Sequence, residues 1–224
     1  MITPDAVERQ LRMLALAVAE NQQRLNNVSR EIRDWEFDGN VTLPSNTVFG
    51  ATWDDVRVSA SAVKVGPTKT PGFGEFPSGS GLYTYLFDGG TSDEYVYFTC
   101  QLPHKYKPGT DLKPHVHFAP TNANAGDVKW FLEYTWENYG GSFSASPNTA
   151  TGTETVAAGT AYKHMICGLG TISGSGKKES SMLIGKIYRD PTDSDDTYAS
   201  DAAFLEIDFH YQSNKRGTVP EYPS

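Results

Sequence analysis

Five histidines occur in the chain, and two of them stand one residue apart in Pro114-His115-Val116-His117. On an extended strand that spacing puts both imidazoles on one face, where two rings can share a metal ion. A second row, Glu206-x-Asp208-x-His210, has the same spacing and offers two carboxylates and a ring for proton transfer or metal ligation. A site joining His115, His117 and His210 requires only that the two strands pair. The competing expectation is more ordinary. Alternation assigns Val116 and Phe118 to the core in the first row, and Leu205, Ile207 and Phe209 in the second. The polar residues then form a row on a sheet surface or at a subunit contact. That reading is preferred, so the expectation is no catalytic residue, no bound metal and no cofactor, with His115, His117 and His210 as the set a metal would use.

Other motifs fail their own tests. Gly109, five residues and then His115-x-His117 resembles the opening of the cupin motif, which implies a metalloenzyme. The glutamate that motif needs four or five residues later is replaced by Thr121 and Asn122, and no second motif follows. The run Gly168 to Lys178 is glycine-rich, but a phosphate loop needs glycine where Thr171 stands and a hydroxyl where Lys178 stands. Asn27-Val28-Ser29 matches a glycosylation sequon inside a helical pattern and carries no weight. No Gly-x-Ser-x-Gly elbow is present. Cys100 and Cys167 lie in apolar strand-like stretches and form neither a zinc spacing nor a disulfide framework, so buried thiols are expected. His164 and Cys167 should face opposite sides of a strand.

The elements that would carry these rows alternate with period two. Val128, Trp130, Leu132, Tyr134 and Trp136 alternate with Lys129, Phe131, Glu133, Thr135 and Glu137, and Leu205, Ile207, Phe209 and Tyr211 with Phe204, Glu206, Asp208 and His210, which is the pattern of half-buried antiparallel strands. Further strands are expected over 55–65, 82–87, 95–102, 113–118, 162–169 and 182–189. Residues 140–159 read as a long Ser/Thr/Gly loop or edge excursion, and 190–201 as an acidic loop. The expectation is a mainly β domain, an antiparallel β-sandwich of jelly-roll type, over 39–224.

Residues 1–38 read differently. Thr3-Pro4-Asp5 is a helix start, and no Gly or Pro interrupts the pattern before Gly39 and Pro44, the expected hinge. Val7, Leu11, Leu14, Val18, Asn21, Leu25, Val28, Ile32 and Trp35 are spaced alternately by four and three, a heptad seam with one polar layer. Asn21 at a d position suits a three-stranded bundle, where three amides meet at the axis. The expectation is a coiled-coil stem that makes the chain a homotrimer. The alternative is an amphipathic helix folded back on its own domain.

Charge and hydropathy exclude several roles. The formal net charge of −8 repels phosphate, so no nucleic-acid partner is expected. No apolar run is long enough to span a membrane, so no membrane partner is expected. MITPDAVERQ lacks the basic-then-apolar order of a secretory signal.

The stretches Thr52-Trp-Asp-Asp-Val-Arg-Val58, Val96-Tyr-Phe-Thr-Cys-Gln-Leu-Pro-His104, Pro114-His-Val-His117 and Leu205-Glu-Ile-Asp-Phe-His-Tyr211 together resemble a group of poorly characterised tailed-bacteriophage virion proteins. The resemblance implies a trimeric structural protein assembled in the host cytoplasm into the virion, with capsid or tail components as partners. A capsid decoration or cement protein, or a short head fibre, is the first expectation. A tail fibre, adaptor or receptor-binding knob is the second, and a cupin-like metalloenzyme the third.

Overall fold

The computed structural model describes the backbone of residues 4–33 and 52–213, and the side chains of 8–24 and 52–213. The chain divides into two compact units, Met1–Thr47 and Val48–Ser224. The expected hinge at Gly39–Pro44 lies outside the described residues.

In the first unit one helix, α1, runs over Pro4–Arg33. It starts at Pro4, whose fixed φ suits the first helical turn. At 30 residues it is about 45 Å long. An Arg12 to Glu8 ion pair of 2.8 Å, one turn apart, braces its surface. Of the expected seam, Leu11, Leu14, Val18 and Asn21 all have described side chains, and all are exposed in the single chain. The side chains of Val7, Leu25, Val28 and Ile32, and the whole of Trp35, lie outside the described set.

The second unit is built from antiparallel strands: β1 Thr52–Ser59, β2 Lys64–Val65, β3 Gly72–Glu75, β4 Tyr83–Phe87, β5 Glu94–Gln101, β6 Lys113–Pro120, β7 Gly126–Glu137, β8 Asn148–Val156, β9 Met165–Gly168, β10 Met182–Arg189 and β11 Ala202–Ser213. One sheet has the order β3-β4-β11-β6-β9, with β1 also pairing β11; the other has the order β2-β5-β10-β7-β8. From β4 onward the chain passes back and forth between them, with β4, β6, β9 and β11 in the first and β5, β7, β8 and β10 in the second.

The core lies between the sheets. Trp130 of β7 meets Phe87 of β4 edge-on at 5.0 Å and packs 5.8 Å from Phe118 of β6. Phe98 of β5 reaches Phe209 of β11 at 5.8 Å. Each such ring removes enough apolar surface to contribute about 4–6 kcal/mol. At one side the sheets touch backbone to backbone: a Cβ on Gly152 of β8 would stand 2.1 Å from the carbonyl oxygen of Gly168 in β9, so only glycine fits there.

Three expectations need correction. The strand expected over 55–65 is two strands, because a turn at Ser59–Ala62, marked by the Ala62 N–H donating to the Ser59 carbonyl at 2.9 Å, carries the chain from the six-stranded sheet to the other. Residues 140–159 contain a true strand, β8, which escapes an apolar count because it is a sheet edge of alternating threonines with Val156 as its buried residue. β11 does not alternate uniformly. A register shift against β6 between Phe204 and Glu206 turns Phe204 fully into the core and leaves Leu205 half-exposed, while Ile207, Phe209 and Tyr211 remain inside.

Candidate functional site

β11 is the spine of the six-stranded sheet: β6 pairs along one side of it and β1 along the other. The register sets His117 of β6 opposite Glu206, His115 opposite Asp208 and Lys113 opposite His210. On the far side Ser59 stands opposite Glu206, Arg57 opposite Asp208 and Asp55 opposite His210. Because strand side chains alternate, these residues share the outer face while Val116, Ile207 and Phe209 hold the core. Strand pairing thus puts His115, His117 and His210 on one face, but His117 falls in a different donor set from His115 and His210.

Asp208 is the hub. Its side chain is only 4% exposed, although it lies on the outer face, because imidazoles roof it over. Its Oδ1 lies 3.3 Å from His115 Nδ1. Its Oδ2 lies 3.2 Å from both His117 Nε2 and His210 Nε2. His210 Nε2 is also 3.1 Å from Asp55 Oδ1. The His115 and His210 rings meet edge-on with centroids 4.2 Å apart.

These contacts are not equivalent. His117 Nε2 and Asp208 Oδ2 have hydrogen-bond geometry. A carboxylate only accepts, so His117 Nε2 carries the proton, and in the neutral ring its Nδ1 is left as an acceptor. His164 Nε2 stands 2.8 Å from that Nδ1 and donates to it, with the two rings stacked at 5.0 Å. By contrast His115 Nδ1 and Asp208 Oδ1, though in ion-pair contact, are buried without a hydrogen-bond partner. Burial, and next the neighbouring His210, hold the His115 imidazole below its ordinary pKa against the opposing pull of Asp208. A neutral ring offers a lone pair.

The flanks are polar and firmly held. Arg57 grips Glu206 with a fork of 3.0, 3.1 and 2.7 Å, so its charge is directed at Glu206. Lys113 lies over the Trp53 ring at 5.1 Å. Gly168, opposite His115 on β9, presents no side chain to cover that ring. Among the described residues, two sets of donors converge closely enough for one ion: His115, Asp208 and His210, and His117, Glu206 and Asp208.

Asp55, Arg57 and His164 join the cluster without having been expected there. For Asp55 and Arg57 the available signal was alternation with Val56 and Val58, but which strand β1 would border is a long-range fact. His164 showed only its offset from Cys167, and the two do lie on opposite sides: Cys167 is buried in the core and His164 is on the outer surface. The failed phosphate-loop run, 168–178, contributes buried Leu169 and Ile172 and a bridge from Ile172 to Leu112, a packing role.

No protein-family model matches this sequence, and no curated protein matches it. Among solved structures, the CBM36-1 domain of a multidomain xylanase from the hindgut metagenome of Trinervitermes trinervoides is similar at 12% identity and a TM-score of 0.37, covering 70% of this chain and 96% of its own. A family 35 carbohydrate binding module from Clostridium thermocellum is similar at 10% identity and 0.38, covering 69% and 97%. CBM35 from Cellvibrio japonicus is similar at 5% identity and 0.40, covering 75% and 100%. At these scores the likeness carries no argument about what this chain does.

Proposed function

We propose that this chain is a non-enzymatic structural protein: a homotrimer joined along α1, with a jelly-roll head, built into the particle of a tailed bacteriophage. The observation that carries the reading is the bare stripe on α1. Leu11, Leu14 and Val18 follow the four-three spacing and are exposed at 61%, 62% and 60%. Burying each against sister helices contributes about 1–2 kcal/mol per side chain. The polar Asn21 on the same stripe selects register and strand number at a cost in stability. Two strand orders support the jelly roll: β4-β11-β6-β9 and β5-β10-β7-β8 arise when an antiparallel ribbon folds over twice. The placement in a virion rests on the four stretches that resemble phage structural proteins, and the capsid is preferred because a three-fold stem suits three-fold lattice positions.

Cryo-imaging of purified particles containing this chain tests the placement. Three-fold density for a helical stem and β-sandwich heads at capsid three-fold or quasi-three-fold positions is the expected result. Density confined to the tail would overturn the capsid placement, and absence from the particle would overturn the virion role.

A further inference from the structure

We infer that the outer face of the six-stranded sheet binds one divalent transition-metal ion per chain, Zn2+ foremost, ligated by His115, Asp208 and His210 with Asp55 as the fourth donor. The inference goes beyond the structural role above. It is independent of that role, because all four residues lie within one chain.

Three observations converge on it. The first is spacing. One atom each from His115, Asp208 and His210 lie within 4.8 Å of one another. Zinc bonds of about 2.0–2.2 Å in a tetrahedron separate neighbouring ligand atoms by about 3.3–3.6 Å. The distances of 3.3 Å from His115 Nδ1 to Asp208 Oδ1, 3.2 Å from His210 Nε2 to the other oxygen of the same carboxylate, Oδ2, and 3.1 Å from His210 Nε2 to Asp55 Oδ1 sit close to that range, so the carboxylate spans the two histidines with both its oxygens.

The second is the pair of orphaned atoms. Asp208 Oδ1 and His115 Nδ1 are buried, face each other and have no hydrogen-bond partner. Buried polar atoms are almost always paired, and an unpaired carboxylate oxygen is costly. A cation between them satisfies both. Arg57 does not meet the need, because its guanidinium fork is engaged by Glu206.

The third is an outer shell already in place. Metal-bound carboxylates are themselves held by hydrogen bonds. The oxygen of Asp208 that faces away from His115 accepts from His117 at 3.2 Å, and His117 accepts in turn from His164 at 2.8 Å. That chain fixes the carboxylate and assigns His117 and His164 to support. The ligands themselves come from paired strands, which hold donors more firmly than loops do. Two imidazole nitrogens and two carboxylates favour zinc or a neighbouring first-row ion over calcium or magnesium, which take oxygen sets. With all four positions supplied by the chain, the ion acts as a clamp across β1, β11 and β6.

The test uses the full chain stripped with chelator and then titrated with Zn2+ by calorimetry. Thermal unfolding with and without the ion provides a second readout, and the absorption of a Co2+-loaded sample a third. The expected result is one saturable site per chain, a rise in melting temperature with Zn2+, and a tetrahedral Co2+ spectrum. His210→Gln and His115→Gln each weaken binding by at least about 100-fold, whereas His164→Gln weakens it by about tenfold, as outer-shell changes do. His210 is 37% exposed, so its variant is expected to fold with the melting temperature of the metal-free wild type and decides the matter if the His115 variant does not. Absence of saturable binding overturns the inference. So does binding that survives both His210→Gln and His115→Gln, or binding lost only in His164→Gln.

Discussion

Arg189 stands at the end of β10 with its side chain wholly buried, and its guanidinium organises the loop that leads into β11. Asp196 takes both sides of the fork, at 2.8 Å from Nε and 2.7 Å from Nη2, and is itself 1% exposed. The remaining protons go to the carbonyls of Ser200 at 2.7 Å, Phe87 at 3.2 Å and Tyr198. Asp196 also accepts the Lys129 N–H at 3.0 Å. Asp196→Asn preserves shape but leaves a buried guanidinium without its counter-charge, and removing one member of a buried pair costs about 3–5 kcal/mol. Arg189→Met strands Asp196 and three carbonyl groups, so it costs at least as much. The double variant removes both charges, and buried pairs replaced by uncharged residues cost little. The double variant keeps the three carbonyls unpaired but has no lone buried charge, so it should lose less than the summed single losses of about 6–10 kcal/mol. Urea unfolding followed by fluorescence of buried Trp130 and Trp136 reads all four proteins. A loss below about 1 kcal/mol for Asp196→Asn, or strictly additive losses, would refute the claim that this pair is a desolvated unit.

Other outcomes follow from the same physical picture. Asn21→Leu should raise the stability of the helical stem by about 1–3 kcal/mol per chain while broadening the distribution of oligomers, read by thermal unfolding and solution mass; an unchanged melting temperature would remove Asn21 from the seam. Burial pushes the thiols of Cys100 and Cys167 up to about 12, so at pH 8 about one in ten thousand is a thiolate. Alkylating reagents should modify neither in the native protein and both in denaturant. Because the folded state keeps those protons, stability should fall as pH climbs from about 8.5 toward 12. Burial, and then the charges of Asp88 and Asp201, raise the Glu94 carboxyl against the opposing Asp88 N–H bond. The folded state therefore binds the proton more tightly than the unfolded one, and stability from Glu94 is lost as pH rises through the folded value. Glu94→Gln should stabilise the chain at neutral pH in urea unfolding, with a gain that disappears near pH 4; a gain that is independent of pH would contradict the assignment.

Much of the head was legible because its central strands bury one face. Val128, Trp130 and Leu132 alternate without interruption, and β7 lies where that pattern predicted. β8 was hidden because a sheet edge with threonines along one face, and Ala150, Gly152 and Glu154 on the other, has no apolar period to read. The Leu205 irregularity was hidden because a register shift inverts alternation locally, and Phe204 and Leu205 are equally apolar. The two histidine rows were visible as spacings. What made them a cluster is the pairing of β11 with both β6 and β1, which no local pattern encodes. The same pairing brought in Asp55, and the buried orphan pair of Asp208 and His115 emerges only from packing. The acidic loop over 190–201 was legible as a loop, but not as the source of Asp196, since its buried aspartate looks like its exposed neighbours until Arg189 is placed.

The central claim is that three chains join along α1, and the mass of the full chain in solution tests it most directly. Light scattering or sedimentation at dilute concentration should give three times the 24.6 kDa chain mass. Replacing Leu14 and Val18, each exposed in the single chain, with aspartate should return the protein to a folded monomeric head. A wild-type mass equal to one chain, or a trimer unaffected by those substitutions, would contradict it.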